Sequence, residues 1–106
     1  MNTTQVTDNK LCPMSEASKL IGDFWNILIV RELLSGCKRF NELQEKVEHI
    51  TNSTLSDRLK NLVDEGIVER KQYECIPPKV EYTLTEKGRG LKEIIDTIEQ
   101  YSKKWL

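Results

Sequence analysis

Apolar positions along this chain recur three and four apart through most of its length, then alternate strictly for one stretch after Gly66. The first spacing marks one face of a helix and the second one face of a strand. Pro13 suits a first helical turn, with Cys12 near the N-cap, and predicts a short helix to about Leu20 before Gly22 interrupts it. "DFWNILIVRELLSG" predicts a second helix, capped at Asp23 and ending at Gly36. Its Phe24, Ile27, Leu28, Leu33 and Leu34, with Trp25 and Val30 on neighbouring faces, make it apolar nearly all round. Such a helix is buried by more than one neighbour.

"FNELQEKV" predicts a third helix capped at Asn41, with Phe40, Leu43 and Val47 inward and Glu42, Gln44, Glu45 and Lys46 as a solvated face. After the turn "EHIT" comes "ITNSTLSDRLKNLVDEGIVER". Leu55, Leu59 and Leu62 share one face, Thr51 is a good N-cap, and Gly66 sits where a left-handed residue ends a helix. The outward face is unusual: Ser53, Ser56, Asp57 and Lys60, flanked by Asn52 and Thr54. Asn, Ser and Thr compete with the backbone for hydrogen bonds and are mediocre helix formers. A surface selected for stability alone would carry Glu and Lys, as the third helix does.

Two helices joined by a short turn form a helix-turn-helix candidate. The alternating, β-branched runs "IVERKQY" and "KVEYTLT" predict two strands, and the prolines of "ECIPPK" place a loop between them. The expected fold class is therefore mainly α with a small β-hairpin (α+β), a winged helix-turn-helix. In "TEKGRGLKEIIDTIEQYSKKWL", Thr85 is a candidate N-cap and Gly88 and Gly90 weaken the first turns. Leu91, Ile94, Ile98, Tyr101 and Trp105, with Ile95 beside them, then form a seam like that of a coiled coil.

The chain has 106 residues, enough for one domain with a modest core. Sixteen Lys and Arg against seventeen Asp and Glu give a net charge of −1, which counts against a nonspecific polyanion binder. Any contact with nucleic acid must rest on where charge is placed. Polar residues 1–9 are expected to be a disordered tail ahead of a domain over 10–106. No apolar run suits a membrane span and no signal-peptide core is evident, so a cytoplasmic location is expected. Three widely spaced cysteines without a CxxC suggest neither a disulfide framework nor a zinc ribbon.

The marks "CP", "LIGDFW" with "ILIVRELLSG", "RFNEL", "ITNSTLSDRLKNLVDEGIVER" and "PPKVEYTLTEKG", in that order, resemble the HxlR-type winged-helix transcriptional regulators. The resemblance runs from Cys12 to the end of the chain. It implies a dimeric regulator, not an enzyme, that binds a pseudo-palindromic operator in double-stranded DNA. In some members the cysteine of the "CP" motif senses oxidants or electrophiles. Two departures stand out. Gly36-Cys37 replaces a frequent Gly-Pro, and Asn52, Ser53 and Thr54 replace longer Gln or Lys side chains early in the recognition helix.

On this reading the recognition helix spans about 51–65, the wing about 67–84 and a dimerisation helix about 86–104. Asn52 suits a bidentate pair with adenine; Ser53, Thr54 and Ser56 exchange hydrogen bonds with base edges; Thr51 and the first helical N–H groups face a phosphate. Arg58 and Lys60 would reach phosphates on either side. Asp57 would repel them unless it accepts from cytosine or holds Arg58 in place. Arg70 at the hairpin base and Lys79 in the wing are expected to anchor phosphates rather than read bases. The plainer alternative is a merely solvated face.

The dimer interface is expected from Met14 and Leu20 of the first helix with Leu91, Ile94, Ile95, Ile98, Tyr101 and Trp105 of the last. The competing reading packs the same stripe on the chain's own core. For Cys12, the positive end of its helix and nearby Lys10 favour the thiolate, making it the redox-sensing candidate; otherwise it packs as a small hydrophobe. Cys37 and Cys75 fall on loops. Rival classes are a metal-responsive regulator built on Cys12, Cys37, His49 and Cys75, and a protein-binding winged-helix module. The cysteine and histidine spacings match no common zinc pattern, and no metal or cofactor is expected. A thiol enzyme lacks a second catalytic group.

Overall fold

The computed structural model describes residues 12–106. The tail expected over 1–9 and the neighbouring Lys10 lie outside them. Helix α1 (Pro13–Ile21) begins at Cys12, whose sulfur accepts the Ser15 N–H. Helix α2 (Phe24–Leu33) is capped by Asp23, and α3 (Phe40–Lys46) and α4 (Asn52–Asp64) follow. Strands β1 (Val68–Tyr73) and β2 (Lys79–Leu84) pair antiparallel in register Val68↔Leu84 to Tyr73↔Lys79. A single turn, α5 (Glu86–Arg89), and then α6 (Lys92–Trp105) complete the chain. This is the winged helix-turn-helix that the alternating periods predict.

The core lies where α2 crosses the helix-turn-helix and the hairpin base. Ile29, Val30 and Leu33 of α2 meet Leu43 and Val47, then Leu55, Leu59 and Leu62 of α4, with Ile67, Val68, Leu84 and Ile95 closing the sides. Burial of each large side chain contributes about 1.5–3 kcal/mol. The leucine stripe of α4 is thus spent inward, which fixes the residues that face out. Gly66 ends α4 at φ 77°, as its position predicts, and His49 turns the chain between α3 and α4 at φ 62°.

Several local expectations are corrected. Phe24 sits 65% exposed at the start of α2 rather than in the core, edge-on to half-buried Trp25. Regular α2 ends at Leu33, short of Gly36, where a turn takes over. Helix α3 is capped at Arg39, not Asn41: the Glu42 carboxylate accepts the Arg39 N–H at 2.8 Å, fixing the start one residue before Phe40. Gln44, read as solvated, turns inward and donates to the Ile50 carbonyl, bracing the helix-turn-helix turn.

A contact absent from the sequence pattern holds the wing. Lys38 and Tyr82 exchange backbone hydrogen bonds of 2.9 and 2.8 Å, so the segment after α2 lies beside β2. A one-residue bridge has no period to detect.

The helix expected over 86–104 is broken. Thr85 caps α5 as predicted, its hydroxyl accepting the Gly88 N–H at 3.0 Å and donating to the Gly66 carbonyl. Gly88 is buried against the hairpin base, where a Cβ would stand 2.2 Å from the Ile67 carbonyl oxygen. Glycine at 88 thus lets α5 lie close to Ile67, just before β1; the helix breaks after α5, at Gly90 and Leu91, and α6 starts afresh at Lys92. Gly88→Ala is expected to destabilise the fold by about 1–3 kcal/mol through overpacking, read as a lower midpoint in urea unfolding.

Candidate nucleic-acid interface

Helix α4 presents Asn52, Ser53, Ser56, Asp57 and Lys60 to solvent, opposite its buried leucines. Thr51 caps the helix: its Oγ1 accepts the Thr54 N–H at 3.1 Å and bonds the Thr54 hydroxyl at 3.0 Å. Thr54 is half-buried and engaged in that cap, so it is less free for base contact than its neighbours. Between α4 and the wing lies a cleft of about 330 Å³ lined by Ser56, Leu59, Lys60, Val63, Asp64, Arg70 and Tyr82. Lys60 and Arg70, ten residues apart in sequence, therefore share one groove with Ser56.

Lys79 is half-buried at the far end of the hairpin, 3.6 Å from the Glu81 carboxylate. Its ammonium and that of Lys71 both lie over the Tyr73 ring, at 5.3 and 5.2 Å from the centroid. The Tyr73 phenol is pushed above its ordinary pKa, chiefly by its hydrogen bond to Glu81. The apolar loop beyond carries fully exposed Ile76.

Arg58 stands apart from the other basic groups. Its Nε donates to both Asp23 oxygens, at 3.1 and 3.2 Å, and its Nη1 donates to Asp57 at 2.6 Å. The phosphate reach expected of Arg58 is thus replaced by a clamp on the protein, and Asp57 takes the holding role left open for it. Burial alone would raise the Asp23 carboxyl; the Asn26 N–H at 3.0 Å and the Arg58 guanidinium more than offset it and hold it below the usual carboxylate range. Sequence reasoning found Asp23 as a cap but not as the partner of a residue 35 positions away.

The expected dimer face is largely open. Helix α1 buries no residue within the protomer, and Met14, Ile94, Ile98, Tyr101, Trp105 and Leu106 are all exposed. Leu20 and Leu91 are half-buried against the core cluster. Ile95 is a correction: at 3% exposure it belongs to the protomer's own core, because α6 turns it towards α2 and away from the seam of Ile94 and Ile98.

Cys12, Cys37 and Cys75 are free and exposed. Among the described residues, no three His, Cys, Asp or Glu side chains gather as a metal site requires. No helix among them is long and apolar enough to cross a membrane. Cys12 has a feature its sequence neighbours did not reveal: its sulfur lies 3.1 Å from the Ser15 hydroxyl and 3.4 Å from the Ser15 N–H. Those two bonds, the hydroxyl first, hold the Cys12 thiol below its ordinary pKa. A hydrogen bond from the third helical residue to the N-cap side chain is an ordinary device, here made to sulfur.

A braced turn, a leucine-backed helix with a short polar face, and a hairpin beside that face define a winged helix-turn-helix protein. Residues 20–106 match the model of the HxlR-like helix-turn-helix family, and the chain belongs to that family. It is a transcriptional regulator of the helix-turn-helix type, not an enzyme. The HTH-type transcriptional regulator YodB of Bacillus subtilis (strain 168) is 41% identical over 95 residues, covering 89% of this chain and 85% of YodB. The reduced form of YodB from B. subtilis superposes with a TM-score of 0.79 at 39% identity, over 91% of this chain and 95% of that one. The redox regulator HypR in its oxidized form gives 0.82 at 36% identity, over 88% and 96%.

Ser15→Ala is expected to move the pH midpoint of Cys12 alkylation upward, since the thiolate loses its strongest donor. Peptide-resolved mass spectrometry after timed iodoacetamide treatment across pH measures it.

Proposed function

We propose that this regulator binds double-stranded DNA as a symmetric dimer and reads a pseudo-palindromic operator through the outer face of α4. The single observation that carries this reading is the division of α4 into a fully buried leucine stripe and an exposed row of Asn52, Ser53, Ser56 and Lys60. Short donors and acceptors let the helix approach base edges in the major groove. Thr51 and the first N–H groups of α4 meet a phosphate, and Lys60 and Arg70 anchor the strand on the wing side. Lys79 supplies a weaker anchor, because Glu81 already partners it.

From Thr51 to Gly90, seven cations (Arg58, Lys60, Arg70, Lys71, Lys79, Lys87, Arg89) face seven anions (Asp57, Asp64, Glu65, Glu69, Glu74, Glu81, Glu86). One protomer therefore has modest affinity, and two linked half-sites supply the rest. The partner surface is the exposed apolar face of α1 and α6, with Met14, Ile94, Ile98, Tyr101 and Trp105 at its centre and Leu20 and Leu91 at its base. Two-fold pairing there sets recognition helices in successive major grooves, about 34 Å apart.

Control falls to Cys12. Exposure and the two Ser15 hydrogen bonds make it a reactive thiol at the head of a dimerisation helix. There a two-electron oxidant such as diamide couples the Cys12 sulfur to a second thiol as a disulfide and takes up both thiol protons; the new bond shifts α1, changes the spacing of the half-sites and weakens operator binding. The redox regulator HypR shares the fold and supports this assignment.

Selection from a random duplex pool by the purified protein, with and without diamide, tests the whole reading. A pseudo-palindromic duplex is expected to be enriched, with binding that falls steeply with salt as counterions are released. Replacing Asn52, Ser56 and Lys60 together by Ala should abolish that selection in a folded variant; retained selection refutes the role of α4. Cys12→Ser should bind as well as wild type and resist diamide, whereas equal loss in both clears Cys12. Ile98→Glu should shift the sedimentation coefficient to that of a monomer, and an unchanged dimer removes the interface.

A further inference from the structure

We propose that Asp23 limits the DNA affinity of this regulator: it holds Arg58 on the protein and so withholds a cation from the DNA backbone. The inference rests on the reading of α4 as the recognition helix. An arginine on the flank of such a helix ordinarily neutralises a phosphate, which adds affinity for every sequence alike. Here each bonded nitrogen of Arg58 points at a carboxylate, with Asp23 gripping Nε through both oxygens and Asp57 taking Nη1.

The anchor is rigid. Asp23 is fixed by the Asn26 N–H at 3.0 Å, and the Asn26 side chain is itself tied to the Leu20 carbonyl at 3.3 Å. Arg58 is thus bound to the joint between α1 and α2 rather than to a mobile surface group. Two carboxylates against one guanidinium leave the cluster negative. The cleft beside it, lined by Glu16, Lys19, Asn61 and Glu65 as well, adds two anions and one cation. On the opposite flank of α4, Lys60 and Arg70 outnumber Asp64. The recognition helix therefore has one flank that attracts phosphate and one that repels it. A duplex is drawn to the wing side and gains no sequence-blind affinity on the α1 side.

Asp23→Asn separates the two jobs of the residue. Asn caps a helix about as well as Asp, so α2 keeps its start while Arg58 loses its principal charge partner. Binding is measured by fluorescence anisotropy over a range of salt. The probes are the duplex that wild type enriches and a random-sequence duplex of equal length. The variant is expected to bind both duplexes several-fold tighter, with the preference for the selected one unchanged, because a phosphate contact serves every sequence alike. The slope of log affinity against log salt should steepen by about one, the signature of one added phosphate contact. Asp23→Asn/Arg58→Gln should return both quantities towards wild type, and Asp23→Ser, which also keeps a cap, should repeat the effect if the Asn variant folds poorly. An unchanged slope and unchanged affinities in a folded Asp23 variant overturn the inference alone. Failure of wild type to select any duplex overturns the reading of α4, and the inference with it.

Discussion

Burial of Leu55, Leu59 and Leu62 against Ile29, Val30 and Leu33 is the constraint on which the rest of the molecule depends. It locks the rotation of α4 about its own axis. A helix free to roll by one residue would present a different set of side chains, and no constant face could read anything. Packing at interior density makes that roll expensive, since each displaced leucine loses both its transfer free energy and its contacts. The polar face is consequently as well determined as the apolar one, although its own residues contribute little to stability.

The surrounding structure reinforces this rotation at both ends of α4. Thr51 caps the start, and Gln44 braces the turn before it by donating to the Ile50 carbonyl. At the far end, Gly66 reverses the chain, and the Thr85 hydroxyl and Lys87 ammonium hold the Gly66 and Glu65 carbonyls. Arg58 then ties the middle of the helix to Asp23. A half-exposed ion pair of this sort contributes little to stability by itself. Its effect is directional: it decides which side of α4 shows positive charge.

What the sequence discloses follows from which interactions are local. The caps at Thr51, Asp23 and Thr85, the left-handed Gly66 and the α4 stripe are written within a few residues of where they act, and each was legible. The hairpin was legible because alternation and two prolines bracket it. Contacts between distant segments were not. The Lys38–Tyr82 bridge, the Arg58–Asp23 clamp and the close approach of Gly88 to Ile67 join positions with no shared period. The helix does break at Gly90 and Leu91, as two early glycines imply, but only the fold shows that Gly88 is also required by packing. The same limit explains the seam error. Ile95 was grouped with Ile94 because adjacent isoleucines look alike in a stripe, yet a rotation of about 100° per residue sends them to different surfaces. At the candidate site the sequence shows side-chain types, whereas the partner each one takes depends on the fold.

The open face of α1 and α6 and the balanced charge around α4 belong together in the proposed function. A monomer with a strongly basic surface would bind DNA without help, but it would hold every sequence nearly alike. This chain instead carries a near-neutral region around α4 and an apolar surface that its own fold leaves uncovered. In the proposed dimer, a second copy covering that surface would remove apolar area from water and at the same time double the number of bases within reach. Affinity would then depend on the relative placement of the two copies. The exposed Cys12 thiol caps α1, a helix with no buried residue of its own, so on that proposal a change at the thiol meets little resistance from packing.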